Sequence, residues 1–137
     1  MPRFVDVETP YGNEDSRLLE RNILYARACV WDCLRRGEVP YASHLFFTQP
    51  GILDDTNPKE RGRGIEAGKE IIEALPGVVT VVYVDLGISD GMQYGIDRAL
   101  ANGRRVEYRT LGDGWEGRER ILAASHPHAR VWGVAFR

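Results

Sequence analysis

The chain has 137 residues, 43% of them apolar, enough for one domain with a real core and too few for two ordinary ones. Its 18 basic and 20 acidic residues give a formal net charge of -2, which argues against nucleic-acid or membrane-surface binding and means that any anion must be held locally. No apolar run approaches the ~20 residues needed to span a bilayer, and the opening MPRFVDVETP lacks the apolar core of a secretion signal, so a cytoplasmic protein is expected.

Residues 4–9 read as a first strand, because Phe4, Val5 and Val7 favour extended backbone and Pro10-Tyr11-Gly12 ends it. Asp6 and Glu8 complicate that strand: they must lie at its ends, face a polar cavity or mark a sheet edge. Glu8, next to the carboxyl end, is either a solvated edge acid or a site acid. Asp15 or Ser16 can cap the next helix, whose Leu19, Ile23, Ala26, Val30 and Leu34 form one apolar stripe before Gly37. Cys29 and Cys33 lie on it without further metal-ligating partners, and are expected as buried or half-buried thiols.

Residues 39–42 form a short predicted strand with Ser43 and His44 at its carboxyl end, where a histidine either packs and caps or touches a ligand. The apolar-aromatic loop 45–57 is expected to pack on a ligand, a second copy or the domain itself, with Asp54-Asp55 serving a turn and a helix start. Thr56 or Asn57 followed by Pro58 starts a helix running to residue 75, with Ile65, Gly68, Ile72 and Leu75 on one face. Gly62, Gly64 and Gly68 weaken that helix, which points to a bent first turn or a close backbone approach.

The organising stretch is residues 78–101. Residues 78–84 are an almost unbroken β-branched run, the pattern of a strand covered on both faces of a parallel sheet. A polar turn over residues 85–90 follows, and then Met92, Gly95, Ile96, Ala99 and Leu100 recur at helical spacing until Asn102-Gly103. A strand end feeding a helix start is where α/β sheets collect anions, so Ser89, Asp90, Gly91 and Met92 are candidate ligand contacts, with a phosphate or carboxylate as the first guess. Residues 104–111 read as another strand, in which Arg109 is a surface arginine or one that reaches a phosphate. Residues 112–137 form a C-terminal extension with a possible helix at 116–125 and strand at 131–136.

The order strand, PYG loop, helix, strand ending SHL, strand ending YVDLGIS, then DGMQYGIDRA resembles the nucleoside 2-deoxyribosyltransferase-like superfamily and its relatives that hydrolyse the N-glycosidic bond of nucleoside monophosphates. The resemblance spans residues 4–111 and implies a flavodoxin-like three-layer α/β sandwich with a mostly parallel sheet of about five strands, no cofactor, and a homodimer or larger oligomer. It places Thr9, Pro10, Tyr11 and Gly12 in the loop lining the base and sugar site, and Ser89 and Gly91 where a 5′-phosphate or sugar hydroxyl is received. In those enzymes the helix after that loop carries a glutamate nucleophile; here its place falls on Gly95. Asp97, two residues on, lies about 200° around the helix and cannot simply substitute.

Cleaving an N-glycosidic bond passes through an oxocarbenium-like state, so a carboxylate beside the anomeric carbon must attack it or stabilise its charge. Glu8 and Asp85, both at predicted strand ends, are the candidates, although an acid in the place of Asp85 equally caps a loop. His44 can protonate a departing base or hold a ligand carbonyl. Two expectations result: a nucleotide or nucleoside enzyme with a relocated carboxylate, or a non-catalytic nucleotide-binding protein that lost its nucleophile at Gly95.

Overall fold

A computed structural model describes residues 2–117. In chain order they form β1 (Arg3–Glu8), α1 (Ser16–Arg35), β2 (Glu38–Tyr41), α2 (Ser43–Phe46), α3 (Pro58–Ala74), β3 (Val79–Tyr83), α4 (Asp90–Ala101) and β4 (Val106–Arg109). Every strand pair is parallel, and the order β2-β1-β3-β4 reproduces the start of the flavodoxin-like arrangement. The described sheet has four strands rather than about five. The strand expected at 131–136 lies outside the described residues.

The three longer helices begin where the sequence supplies a cap, whereas α2 starts after Ala42 without one. Asp15 accepts from the Arg17 N–H at the start of α1, and Asn57 accepts from Lys59 and Glu60 ahead of Pro58 at the start of α3. Ser89 accepts from the Met92 N–H at the start of α4. The left-handed Gly37 (φ 80°) and Gly103 (φ 68°) follow the ends of α1 and α4, a backbone conformation that disfavours a Cβ.

Strand pairing sorts the side chains into two layers. Val5, Val7, Val79, Val81 and Tyr83 pack with Tyr25, Cys29 and Cys33 of α1. On the opposite face Val82 packs with Met92 and Ile96 of α4. Asp6 pairs with Thr80 and Glu8 with Val82, so both acids share that second face, over which α3 and α4 lie. All of β3 is buried, as expected of a central parallel strand.

The buried face of α1 differs from the expected stripe. It carries Asn22, Tyr25, Ala26, Cys29, Asp32 and Cys33, whereas Leu34 is 53% exposed. Polar contacts turn the helix that way: Asn22 donates to the Tyr11 carbonyl, Tyr25 reaches Asp85, and Asp32 accepts from the Tyr83 hydroxyl. Arg109 is not a surface arginine: its guanidinium makes a buried two-pronged bond to Glu38 at 2.7 and 2.6 Å. No helix among the described residues is long and apolar enough to cross a membrane.

Candidate functional site

A cleft of about 730 Å³ opens outside the carboxyl ends of β1 and β3, where the strand order reverses. The end of β1 supplies Glu8 and the turn after it Thr9, Tyr11 and Gly12; α2 supplies Ser43 and His44; the start of α4 supplies Ser89, Asp90, Gly91 and Met92. The sequence places all of these except Ser43 in the site. The remaining wall, Val7 of β1, Asp55, then Arg61, Gly62, Ile65, Glu66 and Lys69 of α3 and Tyr94 of α4, is legible only in part from the pattern.

Pro10 is buried but does not line the cleft. Asp85 does not line it either. Continuing the alternation of β3, Asp85 follows Val81 and Tyr83 onto the α1 face, opposite to Glu8. There its carboxylate accepts from the Tyr25 hydroxyl and from the N–H groups of Leu111 (2.9 Å) and Gly112 (3.1 Å). Burial pushes this carboxyl up, but those donors outweigh it and hold Asp85 below the usual carboxylate value. It ties the turn after β3 to the segment after β4.

At the floor of the cleft Glu8 meets two features. Lys69 Nζ donates to Glu8 Oε2 at 2.6 Å and to Asp6 Oδ2 at 3.3 Å. From the other side α4 comes so close that a Cβ built on Gly95 would lie 2.1 Å from Glu8 Oε2. The Glu8 carboxylate thus occupies the volume that a side chain at Gly95 would fill. Burial pushes Glu8 up to about 7, with Asp6 adding to the rise and Lys69 opposing it. Burial would lower Lys69, yet the two carboxylates outweigh it and raise its pKa, so the lysine stays an ammonium and is no amine nucleophile.

No motif in the sequence marks Lys69 as a site residue, although a signal for it exists. It lies four residues after Ile65 and three before Ile72, on the predicted inward face of α3. A lysine on an apolar stripe needs an acid to meet, and Asp6 and Glu8 alternate on one strand face. Gly68 lets α3 descend: a Cβ there would be 2.5 Å from the Cβ and Oγ of Ser43 on α2. This is the close approach that the helix glycines suggested.

His44 Nε2 and Thr9 Oγ1 lie 2.6 Å apart, and the imidazole stands edge-on to the Tyr11 ring at 5.7 Å between centroids. Burial, then the neighbouring Lys69 ammonium, pushes His44 down to about 4, so it is neutral at pH 7 and offers one donor and one acceptor. At the cleft mouth Arg61 and Asp55 form an ion pair at 3.8 Å. Arg61 Nη2 also lies 3.8 Å from the Cβ position of Gly91, beside the first turn of α4. Within that turn the Met92 N–H is taken by Ser89 Oγ, while the N–H groups of Asp90 and Gly91 have no intrahelical acceptor by helix geometry.

The charge of the lining is therefore not that of a polyphosphate pocket. Glu8, Asp55, Glu66 and Asp90 stand against Arg61 and Lys69, and both cations already have carboxylate partners. Among the described residues no group of three or more His, Cys, Asp and Glu is placed to hold a metal ion. Cys29 and Cys33 are buried free thiols on the other face of the sheet.

A parallel flavodoxin-like sheet with a carboxylate-floored cleft at its switch point defines the class of protein. The chain belongs to the family described as a domain of unknown function, DUF7768, whose match covers residues 3–109 and so includes every strand and helix of the described residues. No curated protein and no solved structure matches it.

Proposed function

We propose that the cleft takes a nucleoside or nucleoside monophosphate and that Glu8 acts on its N-glycosidic bond. The observation that carries this reading is the position of the Glu8 carboxylate, which fills the space over Gly95. Gly95 is the place at which the deoxyribosyltransferase-like enzymes, by the resemblance above, carry their glutamate. In this chain a carboxylate reaches that space from β1 instead of from α4.

Lys69 engages Oε2, leaving Oε1 as the reacting oxygen. Oε1 attacks the anomeric carbon; the C–N bonding pair leaves on the base, which takes a proton from water in the open cleft. A glycosyl ester forms, and a second water hydrolyses it, releasing the sugar and a proton that balances the one taken by the base. A second base in place of that water would make the reaction a transfer. His44, being neutral, serves as a hydrogen-bonding group for the base rather than as a strong acid. Ser89 and the first turn of α4 receive the sugar hydroxyl or a single phosphate, the lining charge disfavouring more than one.

The test is to incubate the protein with ribo- and deoxyribonucleosides and their monophosphates and to assay free base by chromatography. Wild type should release base, and Glu8→Gln should lower kcat by about 100-fold or more while binding changes only a few-fold. Release that survives Glu8→Gln would overturn the assignment. Binding without release from any substrate would favour the second reading, a non-catalytic nucleotide receptor. One observation supports that alternative: a carboxyl pushed up to about 7 and bonded to Lys69 is partly protonated at neutral pH and is then no nucleophile.

The same reading includes a homo-oligomer. Phe46, the last residue of the cleft helix α2, is 53% exposed and edge-on to Phe47 at 5.1 Å, and a second copy would cover it. Light scattering should report a dimer or larger species at micromolar concentration, and a monomer there would reject it.

A further inference from the structure

The ammonium of Lys69 stands between two carboxylates of the same strand, and all three side chains are nearly out of solvent: 12% exposed for Lys69, 6% for Asp6 and 12% for Glu8. Residues two apart on a strand point to the same face, so β1 presents Asp6 and Glu8 as a vertical pair, Glu8 in the cleft and Asp6 below it. The shorter contact is to Glu8 at 2.6 Å and the longer to Asp6 at 3.3 Å. With every group ionised the trio carries one net negative charge, and a reaction that creates a cationic sugar above it gains from that charge.

An isolated Lys69–Glu8 pair would be neutral and would offer no such field. If Glu8 formed an ester, an isolated lysine would be left buried and unpaired, which is costly. Asp6 removes both difficulties: it leaves the intact trio negative, and it keeps an ion pair for Lys69 once the charge of Glu8 is consumed.

Resting on the reading of Glu8 given above, we propose that Lys69 and Asp6 are positioning residues: Asp6 anchors the Lys69 ammonium beneath the cleft, and Lys69 in turn holds Glu8 Oε2 over Gly95 so that Oε1 is the oxygen that reacts. Other charged groups act on the trio from the elements around it. Glu73 of α3 and Arg104 after α4 act on Asp6, and Lys69 itself acts on His44 of α2. The tests therefore change charge at one residue at a time.

The experiment follows the Glu8 carboxyl directly by carbon NMR titration of the whole protein, its signal assigned by its loss in Glu8→Gln, and runs the base-release assay beside it. In wild type the midpoint should lie at about 7. Lys69→Met should raise it by about one pH unit or more, and Asp6→Asn, which removes a like charge at nearly constant shape, should lower it by a comparable amount. In the assay Lys69→Met should lower kcat by about tenfold or more with KM changed less than about threefold, and Lys69→Arg should recover part of the loss. A Glu8 midpoint that moves by less than about 0.3 in both Lys69→Met and Asp6→Asn would overturn the proposal. If Lys69→Met does not fold, Asp6→Asn decides alone. Absence of base release from wild type would sink the enzyme reading while leaving the titration to decide whether Lys69 and Asp6 govern Glu8.

Discussion

The carboxylate of Glu8 on β1 and the missing side chain of Gly95 on α4 are complementary: a Cβ at Gly95 would lie 2.1 Å from Oε2, 2.5 Å from Cδ and 2.9 Å from Oε1. One residue is small because the other reaches across. Gly95→Ala should therefore destabilise the protein by about 1–3 kcal/mol through overpacking, and most of that loss should disappear in the double variant Gly95→Ala/Glu8→Ala. Urea denaturation of the four species measures the coupling. A strictly additive pair of changes would mean that α4 simply moves aside.

Two buried groups give opposite pH dependences over almost the same window. Glu8 is raised from 4.5 to about 7, so the folded state holds its proton more tightly and stability falls as pH rises across that range. His44 is lowered from 6.5 to about 4, so its contribution is present above 6.5 and is lost as pH falls toward 4. In wild type the two largely offset each other between 4.5 and 6.5. Urea midpoints measured across this range should rise with pH in Glu8→Gln and fall with pH in His44→Gln. Parallel curves for both variants would show that neither group titrates there.

Asp85 is expected to matter for the fold and not for the cleft. Asp85→Asn keeps the shape but weakens the acceptors for the Tyr25 hydroxyl and for the Leu111 and Gly112 N–H groups, and should cost about 1–3 kcal/mol. Ligand affinity, measured well below the melting temperature, should stay within about twofold of wild type. A selective loss of binding with unchanged stability would return Asp85 to the site.

Ser89 combines a cap with a candidate ligand contact. Ser89→Ala should lower stability by about 1 kcal/mol through the lost bond to the Met92 N–H. It should also weaken a nucleoside monophosphate more than the matching nucleoside, because only the former places an oxyanion at the start of α4. Calorimetry with both ligands checks this, and equal losses would place the phosphate elsewhere.

Much of the architecture is written locally. The β-branched run of β3, the caps at Asp15, Asn57 and Ser89, and the glycines closing α1 and α4 each specify an element from its own few residues. Their alternation implies a parallel sheet with helices on both faces, and the loops at strand ends mark where a cleft must open. For that reason the places of Glu8, His44 and the 89–92 turn beside the cleft are legible in the sequence pattern, whereas Thr9 and Tyr11 are marked only by the family resemblance. The apolar stripe of α1 is only partly the buried face, with Ala26 buried, Val30 packed on the core and Leu34 exposed, because hydrophobicity alone does not select that face. The buried Asn22, Tyr25 and Asp32 are admitted to the interior by partners that lie far away in the chain.

Tertiary structure alone decided which candidates meet. Glu8 and Asp85 look alike as acids at strand ends, but pairing of β1 with β3 puts them on opposite faces of the sheet, and no residue near either one encodes that register. Likewise Lys69 reaches Asp6 and Glu8 only because Gly68 and Gly95 let α3 and α4 approach their neighbours closely. Helical and strand periods set the direction of each side chain from local geometry. Packing depth between elements sets what that side chain touches, and it depends on residues from several distant segments at once.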